Sequence, residues 1–80
     1  MKVFFKDSRG KMREIALLDS DLDKDKAMSA VMSEIKKFCD ERNFKIYYTR
    51  VWCEEKDGIV MTKFDVGSHT EFFYVDRVLM

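Results

Sequence analysis

The residues of this chain that could do chemistry are few. FDVGSHTEFFYVDRV, residues 64–78, holds the one histidine, His69, beside Ser68 and between two acids, Asp65 and Glu71. A nucleophilic pair needs its Ser or Cys within hydrogen-bond reach of the imidazole and a third group to orient the ring. Ser68 adjoins His69, and neighbouring side chains on a turn seldom face each other productively. Cys39 and Cys53 could supply a thiolate, but no spacing enforces that approach. The pattern predicts a hairpin turn at Gly67-Ser68-His69-Thr70, with Asp65 or Thr70 bonding the turn backbone.

A second candidate is the acidic run Asp19-Ser20-Asp21-Leu22-Asp23-Lys24-Asp25, which has the opening of a calcium loop. An EF-hand needs glycine at its sixth position and glutamate at its twelfth. Counted from Asp19, those positions hold Lys24 and Ala30, so the match fails. Helix capping and solvation account for the acids, with an acidic contact to a basic partner as the alternative. The cysteines are 14 apart and fit no zinc or disulfide framework. No cofactor is expected.

A third candidate is the mixed strip Lys45, Tyr47, Arg50, Trp52, Lys63, Tyr74 and Arg77. Aromatics with cations between them can stack the bases and track the phosphates of single-stranded nucleic acid. The local charge weakens that reading. Over residues 44–80 the bases Lys45, Arg50, Lys56, Lys63 and Arg77 face six acids, Glu54, Glu55, Asp57, Asp65, Glu71 and Asp76.

These residues must be positioned by one small α+β domain spanning residues 1–80, with element order ββαβββ. Two apolar stretches, residues 3–5 and 15–18, flank Asp7-Ser8-Arg9-Gly10. Gly10 can adopt the positive φ of a tight turn, so a hairpin is predicted. Ala27, Met28, Val31, Ile35, Phe38 and Cys39 recur at spacings of three and four, which predicts an amphipathic helix over about residues 22–42. Asp21 or Asp23 caps its start and Asn43 suits the left-handed position after its end. Met28 belongs to the helical stripe, whereas Met32 lies off it and is expected at the surface. Strands are predicted at 44–55, 58–66 and 70–78, separated by Lys56-Asp57-Gly58 and Gly67-Ser68-His69. One helix then lies against an antiparallel sheet.

Seven Phe, three Tyr and one Trp load 80 residues that contain no proline and three glycines, which excludes a disordered tail or linker. Fifteen basic and fifteen acidic residues cancel, so no whole-chain field draws nucleic acid or an anionic membrane. The apolar stretch after Lys2 ends at Lys6, too short for a signal peptide, and no apolar run approaches membrane-spanning length. A cytoplasmic setting with reduced thiols is expected.

A single helix covers one face of a sheet, and a face open to water should alternate cleanly between apolar and polar. These strands do not alternate cleanly. Phe44, Ile46, Tyr48 and Trp52 oppose Tyr47, Val51 and Cys53; Ile59 and Met61 oppose Val60, Phe64 and Val66; Phe72, Tyr74 and Val78 oppose Phe73, Val75 and Leu79. Burying either set stabilises by roughly 1.5–3 kcal/mol per large side chain, and one helix cannot serve both. The second face is therefore expected to be partly aromatic. Its cover is the chain's own Lys and Arg stems, a second copy of the chain, or another protein. The interaction residues assigned on this basis are Tyr47, Val51, Trp52 and Phe73, with Arg50 beside them. Tyr48 and Tyr74 replace them if the opposite alternation faces outward.

At DVGSHTEFFYV, preceded by FKIYYTRVW, the chain resembles short reading frames carried by phages and mobile elements of Gram-positive bacteria. The resemblance spans most of the 80 residues and brings no functional residues with it. It implies a context in which small compact proteins bind and block a host protein, including bacterial defence nucleases. The expected function is therefore a non-enzymatic interaction module that dimerises or binds a host protein.

Overall fold

The computed structural model describes residues 1–80. Its elements are β1 (Lys2–Lys6), β2 (Met12–Leu17), α1 (Lys24–Glu41), β3 (Arg50–Lys56), β4 (Ile59–Asp65) and β5 (Phe72–Val75). The fold is α+β, with the helix between the second and third strands, as the sequence predicts. The five strands form one antiparallel sheet in the order β2-β1-β5-β4-β3. The first and last strands are thus neighbours in the middle, with Val3 opposite Val75 and Phe5 opposite Phe73. This seam joins the N-terminal hairpin to the C-terminal meander.

Local chemistry explains the boundaries. Asp7 accepts from the backbone N–H groups of Arg9 and Lys11 at 2.9 Å each, and Gly10 closes the first turn at φ 84°. Asp23, not Asp21, caps α1: its carboxylate accepts from the Lys26 N–H at 2.8 Å. Asn43 takes a φ of 54° just past the helix, the left-handed conformation expected of it. Between β3 and β4, Asp57 and Gly58 both have positive φ, at 53° and 80°, which makes a two-residue type I′ turn.

The core lies between α1 and one sheet face. Ala27, Val31, Ile35, Phe38 and Cys39 of the helix are buried against Val3, Phe64, Phe73 and Val75. Phe38 sits in an aromatic cluster, 4.7 Å from Phe5 and 5.6 Å from Phe73 between ring centroids. Met32 differs from expectation: it is half-buried and packs on this core from the flank of the helix.

The three C-terminal strands are shorter than predicted, β4 by one residue at each end and β3 and β5 by more. Residues 44–49 are not strand, because the sheet offers them almost no partner. The Phe44 N–H turns back to the Cys39 carbonyl of the helix end at 2.8 Å, and toward the sheet the Tyr47 N–H reaches the Val66 carbonyl at 3.0 Å, beyond the end of β4. β5 begins at Phe72 because Glu71 is held in the preceding turn. It ends at Val75 because the Asp76 carboxylate turns to the Lys2 N–H at 2.8 Å. The chain beyond is then clamped by buried Thr62, whose hydroxyl donates to the Arg77 carbonyl at 2.6 Å and accepts from the Leu79 N–H at 3.0 Å.

Candidate interaction face

Residues opposite one another in an antiparallel sheet point to the same side, and successive residues alternate. Val3, Phe5, Phe73 and Phe64 face α1, so their neighbours face away. The outward row runs across all five strands: Glu14, Phe4, Tyr74, Lys63 and Trp52 pair in succession. A second row sets Lys6 opposite both Met12 and Phe72.

Lys63 is the centre of this face. Its ammonium lies 4.2 Å from the ring centroid of Phe72, 5.4 Å from that of Tyr74 and 5.5 Å from that of Trp52. It also makes a 3.1 Å ion pair with Glu54, and its side chain is only 14% exposed. Burial pulls the Lys63 pKa down, but the Tyr74 hydroxyl and the Glu54 carboxylate outweigh it, and the net shift is upward from 10.5. Lys63 therefore stands charged, with its methylene stem laid across aromatic surface. At the margins, Lys6 lies 5.9 Å from the Tyr74 ring and Arg50 5.9 Å from the Trp52 ring. Lys2 pairs with Glu14 at 3.8 Å.

The rings are consequently shielded in part by the chain's own cations, one of the three covers foreseen. The shielding stops short of the periphery. Met12, Leu17 and Ile59 share this face through their pairing with Lys6, Lys2 and Lys56, and Leu17 and Ile59 are 71% and 60% exposed. A shallow cleft between them is lined by Lys6, Met12, Glu54, Lys56, Met61 and Tyr74.

Of the residues assigned from sequence, the structure brings Arg50, Trp52 and Tyr74 together on this face. It places three others elsewhere. Phe73 is fully buried under α1, and Val51, opposite Phe64, is half-buried on the same side. Both belong to the alternation that the helix covers. Tyr47 lies outside the sheet, exposed, in the segment before β3. There it packs with Tyr48 against Gly67 and carries the Lys45 ammonium 5.0 Å from its ring. The strip of seven is also broken at Arg77, whose guanidinium donates to the Leu22 carbonyl at 2.7 Å, on the loop before α1. Sequence reasoning set Lys63 in one strip with Trp52 and Tyr74 and Phe72 on the side of Tyr74, but it did not join these to each other or to Phe4. The parity of Lys63 with Tyr74 was the available signal, but only a fixed register turns it into contact.

The other chemical candidates resolve into local structure. His69 sits exposed on its turn at φ 72°. The Ser68 hydroxyl is engaged with Glu71, donating to its carbonyl at 2.8 Å and accepting from its N–H at 3.0 Å. Asp65 accepts from the Gly67 N–H at 2.9 Å, as the turn reading requires. Cys39 is buried in the core, where burial and the nearby Asp40 charge raise its pKa, while Cys53 is exposed on β3. In the acidic run, Asp19 accepts from the Asp21 N–H at 2.9 Å, and no cluster of three His, Cys, Asp or Glu could hold a metal ion. No helix is long and apolar enough to cross a membrane. Comparison with known protein families, curated proteins and solved structures finds no match to this chain.

Proposed function

We infer that the chain is a non-enzymatic interaction module that binds another protein through the sheet face away from α1. The observation that supports this is the composition of that face. Three aromatic residues, Trp52, Phe72 and Tyr74, surround a charged Lys63, Phe4 extends the row opposite Tyr74, and exposed Met12, Leu17 and Ile59 lie around them. Aromatics, Met and Arg are the residue types enriched where proteins meet. Trp, Tyr and Arg carry most of the energy there. Glu14 and Glu54 pair with Lys2 and Lys63, so the face presents both signs of charge beside its apolar surface, with Lys6, Arg50 and Lys56 at its margins.

Single-strand nucleic acid is the reading this arrangement disfavours. Stacking needs an open ring face. Here the Lys63 ammonium already occupies ring surface on Phe72, Tyr74 and Trp52. A host protein is the partner class implied by the resemblance to phage and mobile-element reading frames, and a blocking role is one form such binding takes.

The test is affinity capture from a Gram-positive lysate with the native chain and with a Met12→Asp/Ile59→Asp variant of intact fold, beside titration of a single-stranded oligonucleotide against salt. A partner held by the native chain and lost from the variant supports the reading. Equal capture by both removes the face from the function, and tight oligonucleotide binding that weakens steeply with salt replaces the protein partner with nucleic acid.

A further inference from the structure

β3 is an edge of the sheet, and its outward backbone groups can be identified. A two-residue type I′ turn makes its flanking residues a hydrogen-bonded pair, so Lys56 and Ile59 bond to each other. The β3–β4 register has no bulge, so Glu54, Trp52 and Arg50 also direct their N–H and C=O groups to β4. Val51, Cys53 and Glu55 therefore aim theirs away from the sheet. An edge of this kind is a template for another strand.

The side chains of β3 select that strand. We propose that two copies of this chain pair antiparallel through β3, about a two-fold axis at Trp52, to form a continuous ten-stranded sheet. In this register Val51 of each copy lies opposite Cys53 of the other, so the outward backbone groups meet as hydrogen-bonded pairs. Arg50 of each copy lies opposite Glu54 of the other, two ion pairs on the face away from α1. The two Trp52 residues form the central non-hydrogen-bonded pair, in which opposed side chains lie closest. Arg50 is exposed; Glu54 is half-buried, with Oε2 on Lys63 of its own chain at 3.1 Å, and it is its other carboxylate oxygen that meets Arg50 of the second copy.

Other registers are worse. A one-residue slip sets outward groups against inward ones. A two-residue slip in one direction opposes Arg50 with Lys56 and Trp52 with Glu54, and in the other it shrinks the overlap within β3 to residues 50–52. Opposite charge across the strands stabilises and like charge destabilises. A two-fold contact of this kind closes on itself, so the assembly stops at a dimer.

This proposal goes beyond the partner reading and does not rest on it, because it uses the strand edge and its test contains this chain alone. Light scattering across a wide dilution range should give twice the 9.6 kDa chain mass at high concentration and the single mass on dilution. Arg50→Glu sets Glu against Glu54, and Glu54→Arg sets Arg against Arg50, so each variant alone should be monomeric. Mixed, they place an acid opposite a base at both positions, and the doubled mass should return. A native chain that stays monomeric at every concentration overturns the proposal, as does a dimer indifferent to both reversals or a mixture that fails to pair. Should either variant lose its fold, the native chain still decides. Its single tryptophan should show an exciton couplet in circular dichroism that vanishes on dilution, and its absence at every concentration overturns the proposal.

Discussion

The Lys63 ammonium sits 4.2 Å from the centroid of the Phe72 ring. The two residues lie on adjacent strands, β4 and β5, of the sheet face that no helix covers. A cation over an aromatic ring stabilises by about 0.5–1 kcal/mol when exposed and about 2 kcal/mol when desolvated. Lys63 shields much of what would otherwise be bare aromatic surface, while leaving that surface able to meet a partner with both apolar and charged character.

Lys63 is therefore expected to stabilise the fold through both its stem and its charge. Lys63→Met keeps the stem and removes the charge, and should cost about 1 kcal/mol; Lys63→Ala removes both and should cost about 2 kcal/mol. Urea unfolding of the two variants measures the difference. Equal and negligible losses would show that the cation contributes nothing to the sheet.

Alkaline pH should destabilise the protein in two stages. The folded-state pKa values of Cys39 and Lys63 are both raised, from ordinary values of 9.0 and 10.5. The fold thus holds both protons more tightly than the unfolded chain. The associated stability is fully present below the unfolded values and is lost as pH rises through the folded ones. Loss should begin above about 9 from Cys39 and above about 10.5 from Lys63, each with a limiting slope of about 1.4 kcal/mol per pH unit. Denaturant midpoints against pH should lose the earlier stage in Cys39→Ala and the later one in Lys63→Met. Unchanged alkaline limbs in both variants would contradict this assignment.

Gly67 and Gly58 should respond differently to alanine. Both have positive φ, at 93° and 80°, so both substitutions carry backbone strain of about 1 kcal/mol. At Gly67 a Cβ would also come within 2.8 Å of the Tyr47 Cβ and 3.0 Å of the Tyr48 ring, whereas at Gly58 it would meet nothing within 4 Å. Gly67→Ala is expected to destabilise by at least about 2 kcal/mol and to displace the Tyr47–Tyr48 segment, visible as changed tyrosine NMR shifts. Similar melting temperatures for the two variants would rule out that close approach.

Thr62→Val should loosen the C-terminal segment selectively. Valine keeps the shape but leaves the Leu79 N–H and the Arg77 carbonyl without the partner they have in the native chain. The cost should be about 1–3 kcal/mol. Hydrogen exchange at Leu79 should accelerate more than at residues of the β1–β5 seam. Uniform acceleration throughout would mean that Thr62 acts only through global stability.

The sequence alone determined the elements that rest on local chemistry. The three- and four-residue spacing from Ala27 to Cys39, the Asp-rich helix start, Asn43 and the turn glycines each specify conformation through neighbours a few residues away. The ββαβββ order followed from them. It also showed that the strands carry more aromatic surface than one helix can cover. Tertiary structure decided which surface that is. The alternation of Phe72 and Phe73 looks the same from either side in sequence; only the β1–β5 seam, across some 70 residues of chain, puts Phe73 beneath Phe38 and leaves Phe72 to Lys63. The same dependence delayed the start of β3 to Arg50, because residues 44–49 are strand-like by composition but have almost no strand to pair with. Period-two patterns fix which residues share a side, but the side that meets the helix is chosen by long-range pairing.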